Sequence, residues 1–415
     1  MNPSNEQQLQ SQINFYNPQI ESYSLKINDS KGLDTLQFIQ YLNIYKLQIC
    51  GCPNLIQLDF KSQTLYEMYI CNSGVQRLDG IQFSKYLQQL CLANNKISSL
   101  SGLEQLQNLQ HLDLSHNTFT QVTALKQLSG LKTLNLSQNY HIEDFTPLSH
   151  LSNLQRLNIQ YSLKYVKQDN MIFLSNLFEL RELNLSNDNI SSIQSLKKLT
   201  KLKYLYLSEN KIVDLSPLMN MVNLVELNLS DNRIVDVLAL QRLEKLQKLN
   251  LYANDLTNID ALSKMVSLQS LNLQANHIVH IQPLRKLNIK QLNLLYNRLV
   301  DIEHVTPVSI KEITFSQKQN KIYQSYTLHN QIYSQKNKIN KRYFIMQSMI
   351  RSYLDIMYDS SKLLVLIEQL FQQVCGRRLI ELRGLFYVIN FVETKQCQAC
   401  QYFHFAPNKN NANNE

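Results

Sequence analysis

Four consecutive segments decide the fold: LKYLYLSENKIVDLSPLMNMVN (residues 202–223), LVELNLSDNRIVDVLALQRLEK (224–245), LQKLNLYANDLTNIDALSKMVS (246–267) and LQSLNLQANHIVHIQPLRKLN (268–288). Each segment begins with the pattern L-x-x-L-x-L-x-x-N. The leucines alternate as in a short strand whose one face is buried, and further apolar residues follow on a return path. One such unit cannot bury its apolar side chains alone, so the sequence predicts units that stack on one another.

The same pattern extends in both directions from these segments. Thirteen repeats are found, and they begin at Ser22, Ile44, Leu65, Leu87, Leu109, Leu131, Leu154, Leu180, Leu202, Leu224, Leu246, Leu268 and Ile289. A shortened strand around Ile313 follows the last repeat. Stacked strands of this kind form a parallel sheet, and a wider outer layer bends the stack. The sequence therefore predicts an α/β repeat solenoid that is curved, with the sheet on its concave side.

The pattern over residues 22–315 resembles the leucine-rich repeat family. The 22-residue spacing, with isoleucine at the first return position as in Ile212 and Ile234, is similar to two groups within it. One group contains a regulatory subunit of type-1 protein phosphatase, and the other contains the internalins. The resemblance implies a horseshoe with a concave parallel sheet and a role in binding other proteins, so the expected function is that of an interaction scaffold.

The turn position of each repeat departs from asparagine at five places. Ser30, Cys52, Ser73, Ser162 and Asp188 stand there instead. The seventh repeat is also four residues longer than the usual 22, and the extra residues lie in the segment 164–170. Because the flanking leucines keep their phase, we expect a local loop there and a continuous solenoid.

The resemblance implies that residues flanking the second leucine, and the two after the third, face outward on the concave sheet. Tyrosine and arginine carry much of the binding energy in protein interfaces. We therefore predict partner contacts at Tyr69, Asp113, Arg156, Arg181, Glu182, Tyr204, Tyr206, Glu226, Asn228, Asn250 and Tyr252. The many asparagines between the second and third leucines are expected to hydrogen-bond to one another along the sheet.

A regulatory subunit of a type-1 serine/threonine phosphatase is the alternative function. The period and the repeat number favour it. The chain lacks tryptophan, however, and it lacks the C-terminal capping sequence of that family. The phosphatase-facing surface of that family is also richer in acidic residues than the concave face predicted here.

The composition excludes several classes of enzyme. Only 8 of the 415 residues are glycine, and no two of them form G-x-G, so neither a Rossmann fingerprint nor a P-loop is present. No Ser/His/Asp or Cys/His arrangement can be assembled from the pattern. Cys397 and Cys400, with His404 and Cys375, offer soft metal ligands, but a lone C-x-x-C is a weak zinc signal. We predict a protein that is not an enzyme and has no cofactor or metal.

The last hundred residues differ in charge from the repeats. Of the formal net charge of +9, residues 316–415 carry +7. We predict an N-terminal flank (1–21), the repeats (22–315), a basic linker (316–342), a mainly helical region (343–395) and a disordered tail (396–415). We expect the apolar helix to cover the last strand as an end cap; alternatively, it pairs with a partner helix or with a second copy of the chain.

Neither a signal peptide nor an apolar stretch of membrane-spanning length is visible in the sequence. The sequence therefore predicts a soluble cytoplasmic protein, with the nucleus as the alternative. Nucleic acid is not the expected partner, because the basic stretch around Lys336 to Arg342 is modest in charge density.

Overall fold

The computed structural model describes residues 23–163, 166, 168–300 and 312–314. Residues 23–298, with 312 and 313, belong to one compact unit, and only residues 299, 300 and 314 of a second unit are described. Several predictions fall outside the described residues: the N-terminal flank (1–21), the basic linker (316–342), the helical region (343–395) and the tail (396–415) with its cysteines.

Fourteen strands form one sheet, in which they lie in chain order. The pairs from the first to the thirteenth strand are parallel. The strands are β1 (Tyr23–Asn28), β2 (Ile44–Cys50), β3 (Glu67–Cys71), β4 (Gln89–Cys91), β5 (His111–Asp113), β6 (Thr133–Asn135), β7 (Arg156–Asn158), β8 (Glu182–Asn184), β9 (Tyr204–Tyr206), β10 (Glu226–Asn228), β11 (Lys248–Asn250), β12 (Ser270–Asn272), β13 (Gln291–Asn293) and β14 (Glu312–Thr314). This order confirms the predicted solenoid.

Short 3₁₀ helices carry the chain back from one strand to the next. Within the described ranges there are eleven of them and no α-helix: Gln37–Tyr41, Ile81–Phe83, Leu103–Gln105, Thr123–Gln127, Thr146–His150, Gln168–Asn176, Gln194–Leu196, Ser216–Leu218, Leu238–Arg242, Asp260–Lys264 and Gln282–Lys286. Most have only three to five residues, a length typical of 3₁₀ helices, because their hydrogen-bond geometry does not sustain long runs.

The repeating leucines form a continuous core between the sheet and the return segments. In the repeat that starts at Leu224, the side chains of Leu227, Leu229, Ile234 and Leu240 are at most 1% exposed. Burying a side chain of this size contributes roughly 1.5–3 kcal/mol relative to its exposure. Neighbouring repeats provide the cover, so the core confirms the predicted need for stacking.

A buried asparagine at the turn of each regular repeat satisfies backbone groups of two repeats. Asn232 donates from Nδ2 to the carbonyl oxygens of Leu229 and Ser230 in its own repeat, and to Leu207 in the preceding one. Its Oδ1 accepts the backbone N–H of Ile212, also in the preceding repeat, at 3.0 Å. We call the residues that make these bonds the ladder asparagines. They are Asn95, Asn117, Asn139, Asn210, Asn232, Asn254, Asn276 and Asn297.

The long seventh repeat does not interrupt the sheet. Leu157 of β7 still pairs with Leu183 of β8, which confirms that the flanking leucines keep their phase. Part of the added length enters the longest of the 3₁₀ helices, Gln168–Asn176. Phe173 of this helix is buried and stacks on Phe145 of the preceding repeat, with ring centroids 5.7 Å apart.

Asp188 occupies a ladder position but lacks the donors of an asparagine. Its Oδ1 accepts the backbone N–H groups of Ser162 and Leu163 at 2.8 and 2.7 Å. Its Oδ2 is buried and has no hydrogen-bond partner among the described residues. Burial raises the pKa of this carboxyl to about 7, against the effect of the two backbone hydrogen bonds, which lower it.

A left-handed backbone conformation precedes the turn position in all thirteen repeats. The φ angles there lie between 51° and 69°, and only Gly51 is a glycine. Residues as different as Tyr161, Glu209 and Ala253 adopt this conformation, although it is unfavourable for side chains with a Cβ atom. The N–H of Ala253 donates to the carbonyl of Gln274 in the next repeat at 2.9 Å. Contacts with the next repeat therefore hold this conformation.

We predict that Asp188→Asn stabilises the protein by roughly 1–3 kcal/mol at about pH 8, because the new amide supplies donors where a buried oxygen lacks a partner. The pKa of Asp188 is raised on folding, so the free energy of unfolding of the wild type should fall as the pH rises from about 4 to about 7. Chemical denaturation across this range measures both effects, and the stabilisation by the substitution should be smaller at pH 5 than at pH 8.

The converse substitution is the matched control. Asn232→Asp places a carboxylate in an intact ladder position, and it should lower the free energy of unfolding by a similar amount, more strongly at high pH. Equal stability of wild type and Asp188→Asn at both pH values would contradict the assignment of Asp188 as a defect in the ladder.

Candidate binding face of the sheet

The side chains that point away from the core form two rows across the sheet, and we call this surface the open face. The outer row pairs in register through Lys46, Glu67, Gln89, His111, Thr133, Arg156, Glu182, Tyr204, Glu226, Lys248, Ser270 and Gln291. The inner row pairs through Gln48, Tyr69, Cys91, Asp113, Asn135, Asn158, Asn184, Tyr206, Asn228, Asn250, Asn272 and Asn293. Both rows follow the spacing of the repeats.

The predicted contact residues fall into two groups. A groove of about 410 Å³ on the open face is lined by five of them, Tyr69, Asp113, Arg156, Glu182 and Tyr206. The other six lie outside its lining: Arg181, Tyr204, Glu226, Asn228, Asn250 and Tyr252. Arg181 immediately precedes β8 and Tyr252 follows β11 by two residues. The structure thus does not bring all predicted residues together at one place.

The groove also contains residues that the sequence analysis did not select. Its lining includes Cys91, His111, Asn135, Asn158 and Asn184. Each occupies a row position, so the repeat pattern alone identifies it as facing outward. Nothing in residue type or spacing distinguishes these side chains from others in the same rows, and only the structure shows that they share one groove.

Oppositely charged residues pair between neighbouring strands of the outer row. Lys46 Nζ lies 2.8 Å from Glu67 Oε2, and Lys248 Nζ lies 3.1 Å from Glu226 Oε2. Arg156 Nε and Glu182 Oε2 are farther apart, at 3.8 Å. Because these side chains are partly exposed, each pair contributes little to stability. These ion pairs give the open face mixed charge, and charged groups of a partner can take the place of either member of a pair.

Local charges and burial alter the titration of two side chains in the groove. Burial, followed by the negative charges of Glu226 and Glu182, raises the pKa of Tyr206 to about 12. The Tyr206 hydroxyl therefore remains a hydrogen-bond donor at neutral pH. Burial lowers the pKa of His111, and the positive charges of Lys132 and Arg156 lower it further. These shifts favour a neutral imidazole at pH 7.

The prediction that inner-row asparagines bond to one another is wrong for the described residues. Asn228 Oδ1 instead accepts the backbone N–H of Ser230, two residues ahead, at 3.1 Å. Asn250 makes the same bond with the N–H of Tyr252. Side-chain oxygens of asparagine readily accept from a backbone group two residues on, because the chain turns there. This bond fixes the side chain. The amides of Asn135 and Asn184 do bond to side chains of the preceding repeat, but these are Asp113 and Gln160 and not asparagines.

The expected exposure after the third leucine is also wrong at several repeats. Ser115, Ser137, Ser186 and Ser230 occupy the first position after it, and each is at most 9% exposed. Their small side chains lie where the chain turns towards the ladder asparagine, so neighbouring repeats cover them. The larger Tyr252 at the equivalent position remains half-exposed.

The described residues contain no group of three histidine, cysteine or acidic side chains placed to hold a metal ion. The zinc candidate of Cys397, Cys400, His404 and Cys375 lies outside the part of the chain that the structure describes. None of the helices in the described ranges combines the length and the hydropathy that crossing a membrane requires.

Two family models match the repeats. Leucine Rich repeats (2 copies) matches residues 87–128, 179–220 and 200–242, and Leucine rich repeat matches residues 223–278. With the stacked parallel strands and the buried leucine positions, these matches show that the chain contains leucine-rich repeats. No curated protein sequence matches the chain.

Solved structures share the fold at low sequence identity. An internalin, inlF, from Listeria monocytogenes str. 4b F2365 has a TM-score of 0.63 and 25% identity, over 72% of this chain and 88% of the internalin. A leucine-rich repeat protein of Leptospira interrogans has a TM-score of 0.64 and 24% identity, over 74% and 83% of the two chains. TLR13 in its complex with ssRNA13 has a TM-score of 0.58 and 20% identity, over 70% and 46%. These similarities concern the fold and do not identify a ligand.

Substitutions on the open face should cost less free energy of unfolding than substitutions in the core. Tyr204→Ala should lower the free energy of unfolding by about 1 kcal/mol or less, because this side chain is 37% exposed. Leu205→Ala, one residue away and fully buried, should cost roughly 2–5 kcal/mol. Urea denaturation of the two variants measures the difference, and similar losses would show that Tyr204 does not lie on an exposed face.

Proposed function

We propose that this protein is a non-catalytic interaction scaffold, which binds a protein partner through the open face. The observation that supports the proposal is the groove between Tyr69 and Tyr206, where partly exposed tyrosine, charged and amide side chains stand in register on adjacent strands. Leucine-rich repeat proteins generally act by binding other proteins, and stacked repeats of this kind create extended binding surfaces.

The dimensions of the groove suit an extended segment of a partner. Tyr69 lies on β3 and Tyr206 on β9, so six strand spacings separate them, roughly 29 Å at about 4.8 Å each. An extended peptide covers this distance with about nine residues. Little ordering is required of the tyrosines on binding, because their backbone is held in the sheet and each has only two side-chain torsions.

Charge favours a partner of mixed sign. Arg156 and Glu182 are loosely paired in the groove, and each can instead pair with an opposite charge on a partner. The Tyr206 hydroxyl already bonds to Glu226, and the carboxylate of Asp113 already accepts from Ser115 and Asn135. A partner segment with both an acidic and a basic side chain beside an aromatic anchor fits this arrangement.

The proposal has two specific forms. A cytoplasmic scaffold is the form that the sequence favours, and regulation of a type-1 phosphatase is the alternative. They differ in the identity of the partner, so an experiment that identifies it separates them.

The test is a quantitative pull-down with the full chain from a lysate of the source cell, followed by mass spectrometry. One protein should be enriched at least ten-fold less by Tyr204→Ala/Tyr206→Ala than by the wild type. Tyrosines at the centre of an interface contribute about 1–2 kcal/mol or more each. Titration calorimetry with that purified protein should then give saturable binding to the wild type. A type-1 phosphatase as the captured protein would favour the alternative.

The matched control is Tyr41→Ala/Phe178→Ala, which removes two aromatic side chains that are exposed but lie outside the strands. It should bind like the wild type. If binding survives in the open-face variant and is lost in the control, the partner contacts the return segments and the proposed site is wrong. Retained binding in both variants would contradict a binding site centred on Tyr204 and Tyr206.

A further inference from the structure

Four cysteines gather at one end of the sheet. Cys50 and Cys71 are paired in register on β2 and β3, and Cys91 lies at the end of β4. All three are partly exposed, whereas Cys52, at a turn position, is buried. None of the four is in a disulfide. The sequence spacing, 21 and 20 residues between successive strand cysteines, places them on neighbouring strands because the repeat has nearly the same length.

One pair among these cysteines is in direct contact. The sulfur atoms of Cys71 and Cys91 are 3.1 Å apart, and either thiol can donate a hydrogen bond to the other. A disulfide needs a sulfur separation of about 2.05 Å, so a shift of about 1 Å closes the bond. Cys91 is in register with Tyr69, so Cys71 lies two residues further along the neighbouring strand. Closing the bond therefore requires a small movement of the two side chains and of the chain at the end of β3.

We propose that Cys71 and Cys91 form a dithiol that peroxide oxidises reversibly to a disulfide. The proposal concerns the chemistry of this pair, so it does not depend on the proposed partner-binding function. It rests on the contact between the two sulfur atoms, on their partial exposure and on the rigid register of β3 and β4.

The electrostatics of the pair indicate which of the two thiols reacts first with peroxide. The hydrogen bond from Cys71 lowers the pKa of the Cys91 thiol, although burial opposes the effect. The same hydrogen bond raises the pKa of the Cys71 thiol, and burial raises it further. Since the thiolate is the reactive form, Cys91 is the better nucleophile of the two. Burial raises the pKa of Cys52 and keeps it unreactive.

The reaction proceeds in two balanced steps. The Cys91 thiolate attacks one oxygen of hydrogen peroxide, the O–O bond breaks, and a sulfenic acid forms while hydroxide leaves. The sulfur of Cys71 then attacks the sulfenic sulfur, and the S–S bond forms while water leaves with the thiol proton. Two thiols lose two electrons to one peroxide. A thiol reductant reverses the reaction by exchange.

Oxidation would also change the open face. Cys91 lines the groove and pairs in register with Tyr69, the aromatic residue at one end of it. A bond to Cys71 draws the Cys91 side chain towards the turn and away from its present position in the groove. The pair therefore couples the oxidation state to the surface next to Tyr69.

The test treats the reduced full-length protein with a small excess of hydrogen peroxide and blocks the remaining thiols with iodoacetamide. Trypsin digestion without reductant then places Cys71 in the peptide 62–77 and Cys91 in the peptide 86–96, while Cys50 and Cys52 share the peptide 47–61. Mass spectrometry should find 62–77 linked to 86–96, and dithiothreitol should abolish the link. Alkylated, unlinked peptides after complete peroxide treatment would overturn the proposal.

Three single variants separate the roles of the cysteines. Cys50→Ser is the matched control, and it should leave the link unchanged. In Cys71→Ser the sulfenic acid on Cys91 has no resolving thiol, so dimedone should label the peptide 86–96 at least several-fold more than in the wild type. Equal labelling of Cys71 in Cys91→Ser would overturn the assignment of Cys91 as the first sulfur to be oxidised. A predominant link between 47–61 and 62–77 in the wild type would overturn the assignment of the pair.

Circular dichroism of each variant distinguishes a chemical effect from a loss of fold. Oxidation repeated in strong denaturant provides a further control, because it removes the register of β3 and β4. The link between 62–77 and 86–96 should then lose its predominance over links to 47–61. If the pattern of links is the same with and without denaturant, the folded geometry does not select the pair.

Discussion

The amide of the ladder asparagine is the interaction on which the stacked repeats depend. Where the chain leaves each strand, buried carbonyl and N–H groups have no partner in a regular sheet, and an unpaired group of this kind is costly. Asn254 shows the solution: Nδ2 donates to Leu229, Leu251 and Tyr252, and Oδ1 accepts from Ile234. Ser162, at the equivalent turn, also donates to Leu136 and accepts from Asn139, but a hydroxyl has one donor hydrogen where the amide has two. Leucine burial and side-chain bonding at the turn together specify the repeat.

The sequence predicted the elements that repeat and missed those that depend on one neighbour. Leucine spacing located the strands, the core and the outward rows, because a shift of one residue would expose every leucine. The left-handed position before each turn was not predicted, since glycine, its usual marker, is present only at Gly51. The buried Asp188 oxygen without a hydrogen-bond partner was also not predicted, because it depends on what surrounds a single side chain.

The candidate site was likewise predictable only in part from the sequence. The register of the rows followed from the pattern, but the boundaries of the groove did not. Tyr204 and Tyr206 are two residues apart in sequence, yet only Tyr206 lines the groove. Cys91 lies in the inner row, whereas Cys71 lies two residues beyond Tyr69 of that row, so their contact arises diagonally between strands. Such relationships depend on side-chain lengths and directions across three or four repeats, which no repeat unit encodes alone.

The ladder bonds have a direction along the chain. Asn232 serves Leu207 and Ile212, which precede it by 25 and 20 residues, and Asn254 serves Leu229 and Ile234 in the same way. Each repeat is therefore completed by the one that follows. During synthesis on a ribosome, the repeat that has just emerged keeps buried backbone groups unpaired until the next asparagine leaves the exit tunnel. The nascent solenoid thus grows with an unfinished edge at its C-terminal end.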